Sequence, residues 1–373
     1  MIVVGVDTHK ATHTLVGVDA GGQKLDEVTV KATTAGHLMA LSWARDVLGA
    51  DVVWGIEDCR NLSSRLERDL LDAGQHVVRV PPHLMAQTRA SARTRGKSDP
   101  IDALAVARAV LREPGLPVAS YDEVSRELKL LVDRRENLVS HRSATMNRLL
   151  WRIHELDPSR APKPASLGRA KTHRELRAWL TTQLGLVAEL ARDELADIIV
   201  LTDQIDALER RIALRVRANA PSLLTIFGCK ELTAAKVVGE TAGVVRFRNE
   251  AAFARYAGLA PTPRSSGGTR VALRTSRSGN RQLHTAIYRI ALVQIRHHSP
   301  GQTYYRKRRD SHDPPKEALR RLQRRIVRTV FNRLRSDYAN RPLGPPQIRS
   351  FPEVERLNAE WSSALADLGS PPL

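Results

Sequence analysis

The sequence is poor in cysteine and contains no long apolar run. Its 373 residues include two cysteines, Cys59 and Cys229, which excludes a disulfide framework and leaves no set of zinc-binding thiols. No uninterrupted apolar run approaches the roughly 18 residues that a membrane-spanning helix needs. The first residues form a strand pattern instead of a basic segment followed by an apolar one. We therefore expect no secretion, no membrane partner and a reducing, cytoplasmic setting.

The sequence also lacks the motifs of several other protein classes. It has no GxxxxGK(S/T) loop, so an ATP-driven motor has no support. His9 and His13 fall in a predicted turn and strand rather than on one helix face, and they do not predict a zinc site. Tyr304 and Tyr305 follow two histidines, but a tyrosine recombinase would need a wider set of arginines and histidines.

Acidic residues are absent from the whole segment 251–309. Twelve cationic side chains lie in the same segment: Arg255, Arg264, Arg270, Arg274, Arg277, Arg281, Arg289, Arg296, Arg306, Lys307, Arg308 and Arg309. The formal net charge of the chain is +19, which points to a polyanionic partner. Arginine suits bidentate contacts to phosphate. We expect nucleic-acid contacts from Arg264, Arg270, Arg274, Arg277, Arg281, Arg306, Lys307, Arg308 and Arg309; the alternative is a solvated basic face.

Four segments differ in pattern. Residues 1–115 predict three successive strands followed by alternating helices and strands, which is the order of an α/β RNase H-like sheet. Residues 116–217 predict two long charged helices, at 121–157 and 174–217, separated by prolines that would allow an antiparallel hairpin. Residues 218–337 predict a second, mainly helical globular domain, and 338–373 a proline-rich tail.

The second long helix carries a coiled-coil seam. Apolar residues repeat at alternating spacings of three and four: Ile198, Leu201, Ile205, Leu208 and Ile212. The simplest interpretation of this seam is a dimer interface.

Two acids stand three residues apart in the run Gly-Lys-Ser-Asp-Pro-Ile-Asp-Ala at 96–103. At a helix start, Asp99 and Asp102 would share one face. Asp7 and Glu57 each end a short apolar run. Taken singly, Asp99 could be a helix N-cap, Asp102 could complement the helix dipole, and Asp58 rivals Glu57.

The joint pattern of these acids favours a metal site. Mg²⁺ prefers hard oxygen ligands, and phosphoryl transfer with two metals about 4 Å apart needs several converging carboxylates. Two strand ends and a helix packed across the same sheet supply that convergence. The set consists of Asp7, Glu57, Asp99 and Asp102.

In their sequence contexts, Gly-Val-Asp-Thr-His-Lys, Gly-Ile-Glu-Asp and Lys-Ser-Asp-Pro-Ile-Asp-Ala, these acids resemble the DEDD tetrad of a bacterial insertion-sequence transposase family. Its members join a RuvC-like N-terminal domain to a C-terminal transposase domain. The resemblance implies Mg²⁺, or Mn²⁺, bound by Asp7, Glu57, Asp99 and Asp102. After Glu57, Asp-Cys-Arg replaces the Ala-Thr-Gly that is common in the family.

The C-terminal half resembles the same family independently. Residues 224–228 read Leu-Thr-Ile-Phe-Gly, similar to a helix-hairpin-helix start, and 256–261 read Tyr-Ala-Gly-Leu-Ala-Pro, similar to a family signature. The Arg-Ser-Ser-Gly-Gly that follows at 264–268 places Ser266 where the family has its nucleophilic serine, with Ser265 as the fallback. From the residues alone, a flexible loop whose hydroxyls merely contact phosphate is the alternative.

The resemblance implies a DNA transposase or recombinase that exchanges strands through a serine–DNA covalent intermediate. It further implies DNA partners at the element ends and target, a structured noncoding guide RNA, and a nucleoid-associated bacterial protein. A dimer or tetramer through the coiled coil could share the active site between protomers. Two alternatives remain: a RuvC-like junction-resolving endonuclease that uses water as the nucleophile, and a non-catalytic nucleic-acid-binding scaffold.

Overall fold

The computed structural model describes residues 1–57, 62–81, 84, 98–113, 116, 118–119, 122–264, 272–275 and 279–341. The chain forms two compact units, one within residues 1–121 and one spanning Asp122–Arg341. Among the helices in the described ranges, none is long and apolar enough to cross a membrane.

The first unit is built on a five-stranded mixed sheet with the order β3-β2-β1-β4-β5. Its strands are β1 (Ile2–Thr8), β2 (Thr12–Val18), β3 (Lys24–Lys31), β4 (Val52–Glu57) and β5 (His76–Val80). Its helices are α1 (Thr34–Trp43, continued by a π turn at Ala44–Leu48), α2 (Ser64–Asp72) and α3 (Asp99–Arg112).

The pairing of these strands is that of an RNase H-like sheet. Strands β1, β2 and β3 form an antiparallel meander, whereas β4 pairs in parallel with β1 and β5 in parallel with β4. The connections that lead into β4 and β5 contain helices α1 and α2, as parallel pairing requires. The predicted fold class of this part is confirmed.

Both faces of the central strands are buried. On one face Val4 packs with Leu70 of α2, in a cluster that also includes residues of α1. On the other face Val3 packs against Ala103 and Ala107 of α3. Burial on both sides explains why the central strands are almost continuously apolar.

The second unit begins with a helical hairpin. Its helices are α4 (Glu123–Leu156), α5 (Ala170–Thr181) and α6 (Leu186–Asn219). The prediction of one helix over 174–217 is wrong, because the chain breaks between α5 and α6 at Gly185, whose φ of 93° lies in the left-handed region.

The predicted coiled-coil seam packs within the chain. Leu201 and Ile205 of α6 form a buried cluster with Leu138 of α4, and Ile198 and Ile212 are also fully buried. The interpretation of this seam as a dimer interface is therefore wrong, because α4 of the same chain covers the residues that a second copy would have to contact.

The remaining elements form one core with the base of the hairpin. They are α7 (Glu231–Thr241), α8 (Glu250–Tyr256), β6 (Pro261–Arg264), β7 (Ala272–Thr275), α9 (Arg281–Arg296), α10 (Pro300–Asp310) and α11 (Pro315–Ala339). Leu128 of α4 and Ile212 of α6 belong to the same buried cluster as Phe253, Ile287 and Val327. This core crosses the predicted boundary at residue 218, and the division into domains stays a prediction.

Candidate active site

Asp7 and Glu57 lie at the carboxyl ends of the adjacent strands β1 and β4. Strands β1 and β4 are parallel, and Gly5 pairs with Gly55 and Val6 with Ile56. Side chains alternate between the two faces of a strand, so Asp7 and Glu57 share the face of the two glycines. That face carries helix α3.

Helix α3 lies against the strand backbone because Gly5 has no side chain. A Cβ atom at Gly5 would lie 2.1 Å from the carbonyl oxygen of Ala103 and 2.4 Å from the amide nitrogen of Ala107. The close approach brings the first turn of α3, with Asp99 and Asp102, towards the end of β1.

The N-cap of α3 is Ser98 and not Asp99, which was the alternative role considered for Asp99. The carbonyl oxygen of Ser98 accepts hydrogen bonds from the backbone amides of Ile101 and Asp102, and Ser98 holds the N-cap position. Asp99 is the first helical residue, and its carboxylate lies 3.3 Å from Nε2 of His9.

The pKa of Asp7 is affected by burial, by His9 and by the neighbouring acids. Burial raises the pKa of Asp7, His9 lowers it, and the charges of Asp102 and Asp99 raise it. Asp102 itself is buried, whereas Asp99 is exposed. Three of the four predicted acids are thus brought together, and Glu57 ends the strand beside Asp7.

Ligand atoms of Asp7, His9 and Asp99 all lie within 4.8 Å of one another. Two carboxylates and an imidazole at this spacing fit a divalent cation, and carboxylate oxygens suit Mg²⁺ and Mn²⁺. The spacing of the ligand atoms therefore fits a divalent metal ion, and the Asp99 side of the cluster is exposed. Assignment of all four acids as metal ligands stays a prediction.

Sequence reasoning missed His9, because it was considered only as one of a pair of zinc-binding histidines. The available signal was its position two residues after Asp7, in the tight connection between β1 and β2. A turn of this kind directs the chain back over the end of the strand that it follows.

The C-terminal signature residues lie at the base of a β-hairpin. Strand β6 pairs antiparallel with β7, and Arg264 is opposite Ala272. Ser265 and Ser266 follow β6 in the sequence and lie outside the described residues.

The base of this hairpin is held by a buried acid. Asn280 donates from its backbone amide to the Tyr256 carbonyl oxygen at 2.6 Å and from Nδ2 to the Glu240 carboxylate at 2.7 Å. Lys129 of α4 donates to the other Glu240 oxygen at 2.8 Å. Gly279 packs so closely on Gly258 that an added Cβ would lie 2.4 Å from the Gly258 amide nitrogen. We call Glu240, Asn280, Tyr256 and Lys129 the hairpin anchor.

Comparisons with protein families agree with both halves of this description. Residues 4–155 match a family model of transposases of the IS110 DEDD type, and residues 220–306 match one described as transposase of the IS116/IS110/IS902 family. The chain belongs to this transposase family. The first match contains Asp7, Glu57, Asp99 and Asp102, and the second contains the hairpin and Ser266.

Relatives of this transposase cover nearly its whole length. The 44.8 kDa protein of insertion element IS116 from Streptomyces clavuligerus is 26% identical, over 92% of this chain and 97% of that protein. The 42 kDa protein of IS900 from Mycobacterium paratuberculosis is also 26% identical, over 91% and 96% of the two chains. Among solved structures, Thermus thermophilus RuvC in complex with a Holliday junction aligns with 29% of the transposase and 91% of RuvC, at 16% identity and a TM-score of 0.23.

The basic residues of α10 in this transposase differ in whether an acidic residue already pairs with them. Arg306 and Lys307 of α10 are exposed, and within the part of the chain that the structure describes neither has an ion-pair partner. Arg308 donates to the Asp313 carboxylate at 2.6 Å, and this hydrogen bond lowers the pKa of Asp313. Arg309 donates to the Asp313 carbonyl oxygen at 2.5 Å.

The other predicted nucleic-acid contacts have mixed outcomes. Arg281 is exposed at the start of α9. Arg264 and Arg274 lie in β6 and β7, and Arg270 and Arg277 lie outside the described residues. All of these contacts stay predictions.

Proposed function

We propose that this transposase cleaves and rejoins DNA with Mg²⁺ or Mn²⁺ bound by Asp7, Glu57, Asp99 and Asp102. The observation that carries the proposal is the convergence of Asp7 and Asp99 at the end of β1, with Asp102 close enough to raise the pKa of Asp7. Hard oxygen donors at such spacing are the ligands that phosphoryl-transfer metals require. When bound, the metal supplies charge stabilisation to the scissile phosphate.

The roles of these acids follow from their exposure. Asp102 is buried within the first turn of α3, so it would fix the inner side of the site. Asp99 has a side chain that is 53% exposed, which leaves room for a phosphate oxygen on the outer side. Asp7 is close enough to both for their charges to raise its pKa, and it would orient the bound group.

The nucleophile is Ser266, with Ser265 as the fallback. Its Oγ would form a bond to the scissile phosphorus while the bond from phosphorus to the leaving deoxyribose oxygen breaks, and the leaving oxygen takes up a proton. One phosphoester bond replaces another, so the strands can be rejoined without ATP. Serine is weakly nucleophilic at its ordinary pKa and requires activation. The described residues on either side of this serine support the role, because Arg264 pairs with Ala272 and Asn280 is held by Tyr256 and Glu240.

The substrates are the DNA ends of an insertion element and a target DNA. The acid-free segment 251–309, with its twelve cationic side chains, supports contacts to the phosphates of these DNAs. A structured RNA from the element would select the target by base pairing, as the family resemblance implies. The protein would act in the bacterial cytoplasm, at the nucleoid.

A denaturing gel tests the covalent step. The full chain, expressed with the noncoding DNA that flanks its gene, is incubated with labelled element-junction and target DNA in Mg²⁺. We expect a protein–DNA band that is lost in Ser266→Ala and kept in Ser265→Ala. The Asp99→Asn variant should still bind DNA but form no band. Free nicked DNA without an adduct, unchanged in Ser266→Ala, would instead support hydrolysis by water, as in a junction-resolving endonuclease.

A further inference from the structure

His9 lies within hydrogen-bond distance of Asp7 on β1 and close to Asp99 on α3. It follows β1 in the short connection to β2, where its backbone amide donates to the Thr12 carbonyl oxygen at 3.0 Å. This turn directs the imidazole towards the end of β1. Its Nε2 lies 3.1 Å from Oδ2 of Asp7 and 3.3 Å from Oδ1 of Asp99.

These separations match those between adjacent ligands of one metal ion. Ligand atoms at about 2.1 Å from an octahedral ion lie about 3.0 Å apart when adjacent and about 4.2 Å apart when opposite. The two imidazole–carboxylate distances are close to the first value, and all three ligand atoms lie within 4.8 Å of one another. A single cation can therefore replace the hydrogen bonds without a large movement of any side chain.

The exposure of the three side chains fits entry of a cation from solvent. Asp7 is 13% exposed, His9 47% and Asp99 53%. The imidazole and the Asp99 carboxylate thus border an open side, where water or phosphate can complete the coordination. Asp102 is buried and would supply an oxygen donor from the inner side.

We propose that His9 is a nitrogen ligand of the metal centre, and that it shifts the metal preference of this transposase towards Mn²⁺. An imidazole nitrogen binds first-row transition ions, whereas Mg²⁺ favours oxygen ligands. Adding one nitrogen ligand to several carboxylates therefore increases the affinity of the site for Mn²⁺ more than its affinity for Mg²⁺. This inference rests on the proposed metal-dependent function, and it adds a residue outside the acid tetrad.

Electron paramagnetic resonance of bound Mn²⁺ tests the inference without any DNA reaction. The full chain is loaded with substoichiometric Mn²⁺, and nitrogen hyperfine coupling is measured by electron spin echo envelope modulation. We expect a nitrogen coupling in the wild-type protein and in His76→Asn, which changes an exposed histidine of the same unit. The coupling should vanish in His9→Asn, and Mn²⁺ binding should be lost in Asp7→Asn.

Metal affinities provide the second readout. Titration calorimetry should show at least about a tenfold loss of Mn²⁺ affinity in His9→Asn, since even outer partners of metal ligands cost this much. The loss for Mg²⁺ should be clearly smaller. Mn²⁺ bound through Asp7 without nitrogen coupling would overturn the role of His9 and leave the acid site intact. Failure of the wild-type protein to bind either ion would overturn the proposed metal-dependent function as well.

Discussion

Gly5 and Gly55 are paired on neighbouring parallel strands, and helix α3 lies against both. A Cβ atom on Gly5 would meet the Ala103 carbonyl oxygen at 2.1 Å, whereas one on Gly55 would meet a Val110 methyl group at 2.5 Å. The Ala103 oxygen belongs to the helix backbone, so the clash at Gly5 can be relieved only if α3 moves. The Val110 methyl group is at the end of a side chain, which can adopt another rotamer. The position of Asp99 and Asp102 therefore depends more on Gly5 than on Gly55.

The Gly5→Ala substitution should displace α3 and its two acids. We expect the free energy of unfolding to fall by about 1–3 kcal/mol or more, as for other overpacked cores, and Mn²⁺ affinity to fall at temperatures where the protein is folded. Gly55→Ala should cost less. Chemical denaturation and calorimetry measure both quantities.

Gly168→Ala is the matched control for this comparison. Nothing lies within 4 Å of a Cβ atom built at Gly168, and its φ is an ordinary one. This variant should change stability by less than about 1 kcal/mol. Equal effects of Gly5→Ala and Gly55→Ala on metal affinity would contradict the proposed dependence on backbone contact.

The buried His13 should make stability depend on pH. Burial lowers the pKa of His13 to about 4, and the nearby His37 and His9 act in the same direction. The His13 and His37 rings are stacked with centroids 5.2 Å apart, and Asp69 holds the other side of His37. The unfolded chain therefore takes up a proton between pH 6.5 and 4 that the folded chain does not.

The free energy of unfolding should therefore be unaffected by His13 above pH 6.5, where the side chain is neutral in both states. It should decrease as the pH falls from 6.5 towards 4, because only the unfolded chain can protonate His13. The loss is at most about 3 kcal/mol. His13→Leu and His13→Gln should both reduce the slope of stability against pH in this window, measured by urea unfolding at a series of pH values. A wild-type slope in both variants would show that His13 does not carry it.

The positions of Asp7 and Glu57 at strand ends and of Asp99 and Asp102 at a helix start were predictable from sequence, because strand ends and helix starts have local signals. Asp7 and Glu57 end apolar runs, and Ser98, Asp99 and Pro100 mark a helix start. The contact of His9 with both acids was not predictable, since it depends on how tightly the β1–β2 connection turns and on how closely α3 approaches Gly5. Neither the tightness of this turn nor the closeness of α3 to Gly5 can be derived from the spacing of residues along the sequence.

The seam on α6 shows a different limit of sequence patterns. The repeat of Ile198, Leu201 and Ile205 correctly predicts a helix with one buried apolar face. The same repeat cannot distinguish a partner helix in the same chain from one in a second copy. The proline-containing link from α4 back to α6 allows the intramolecular solution, which the chain adopts.

The hairpin anchor should be required for adduct formation. Glu240 is buried between Lys129 and Asn280. In Glu240→Ala, the Asn280 side-chain amide would lose its buried acceptor while Lys129 keeps its ion pair with Asp133, and we expect a loss of about 1–3 kcal/mol in the free energy of unfolding. Glu240→Gln keeps an acceptor for Asn280 and should retain more stability and more of the covalent protein–DNA band.

Glu231→Ala provides a control on the same helix. Glu231 pairs with Arg217, whose side chain is 63% exposed, so its loss should cost no more than about 1 kcal/mol. The band should be measured well below the unfolding midpoint of each variant. Normal adduct yield in folded Glu240→Ala would show that the anchor serves stability alone.

Arg306 and Arg308, two residues apart on α10, should contribute unequally to nucleic-acid binding. The Arg308 guanidinium is held by Asp313, which Arg321 also contacts at 3.1 Å, so part of its charge is already neutralised. Arg306 is exposed. A cation that contacts phosphate releases counterions, whereas one held by a carboxylate releases fewer.

Arg306→Gln should therefore weaken DNA or RNA binding uniformly across sequences and reduce the slope of log affinity against log salt by about one. Arg308→Gln should change the slope less, because Asp313 already holds the Arg308 guanidinium and this side chain releases fewer counterions on binding. Fluorescence anisotropy at several salt concentrations measures both slopes. A larger effect of Arg308→Gln would mean that nucleic acid displaces Asp313 from the guanidinium, and the basic surface would then be formed only on binding.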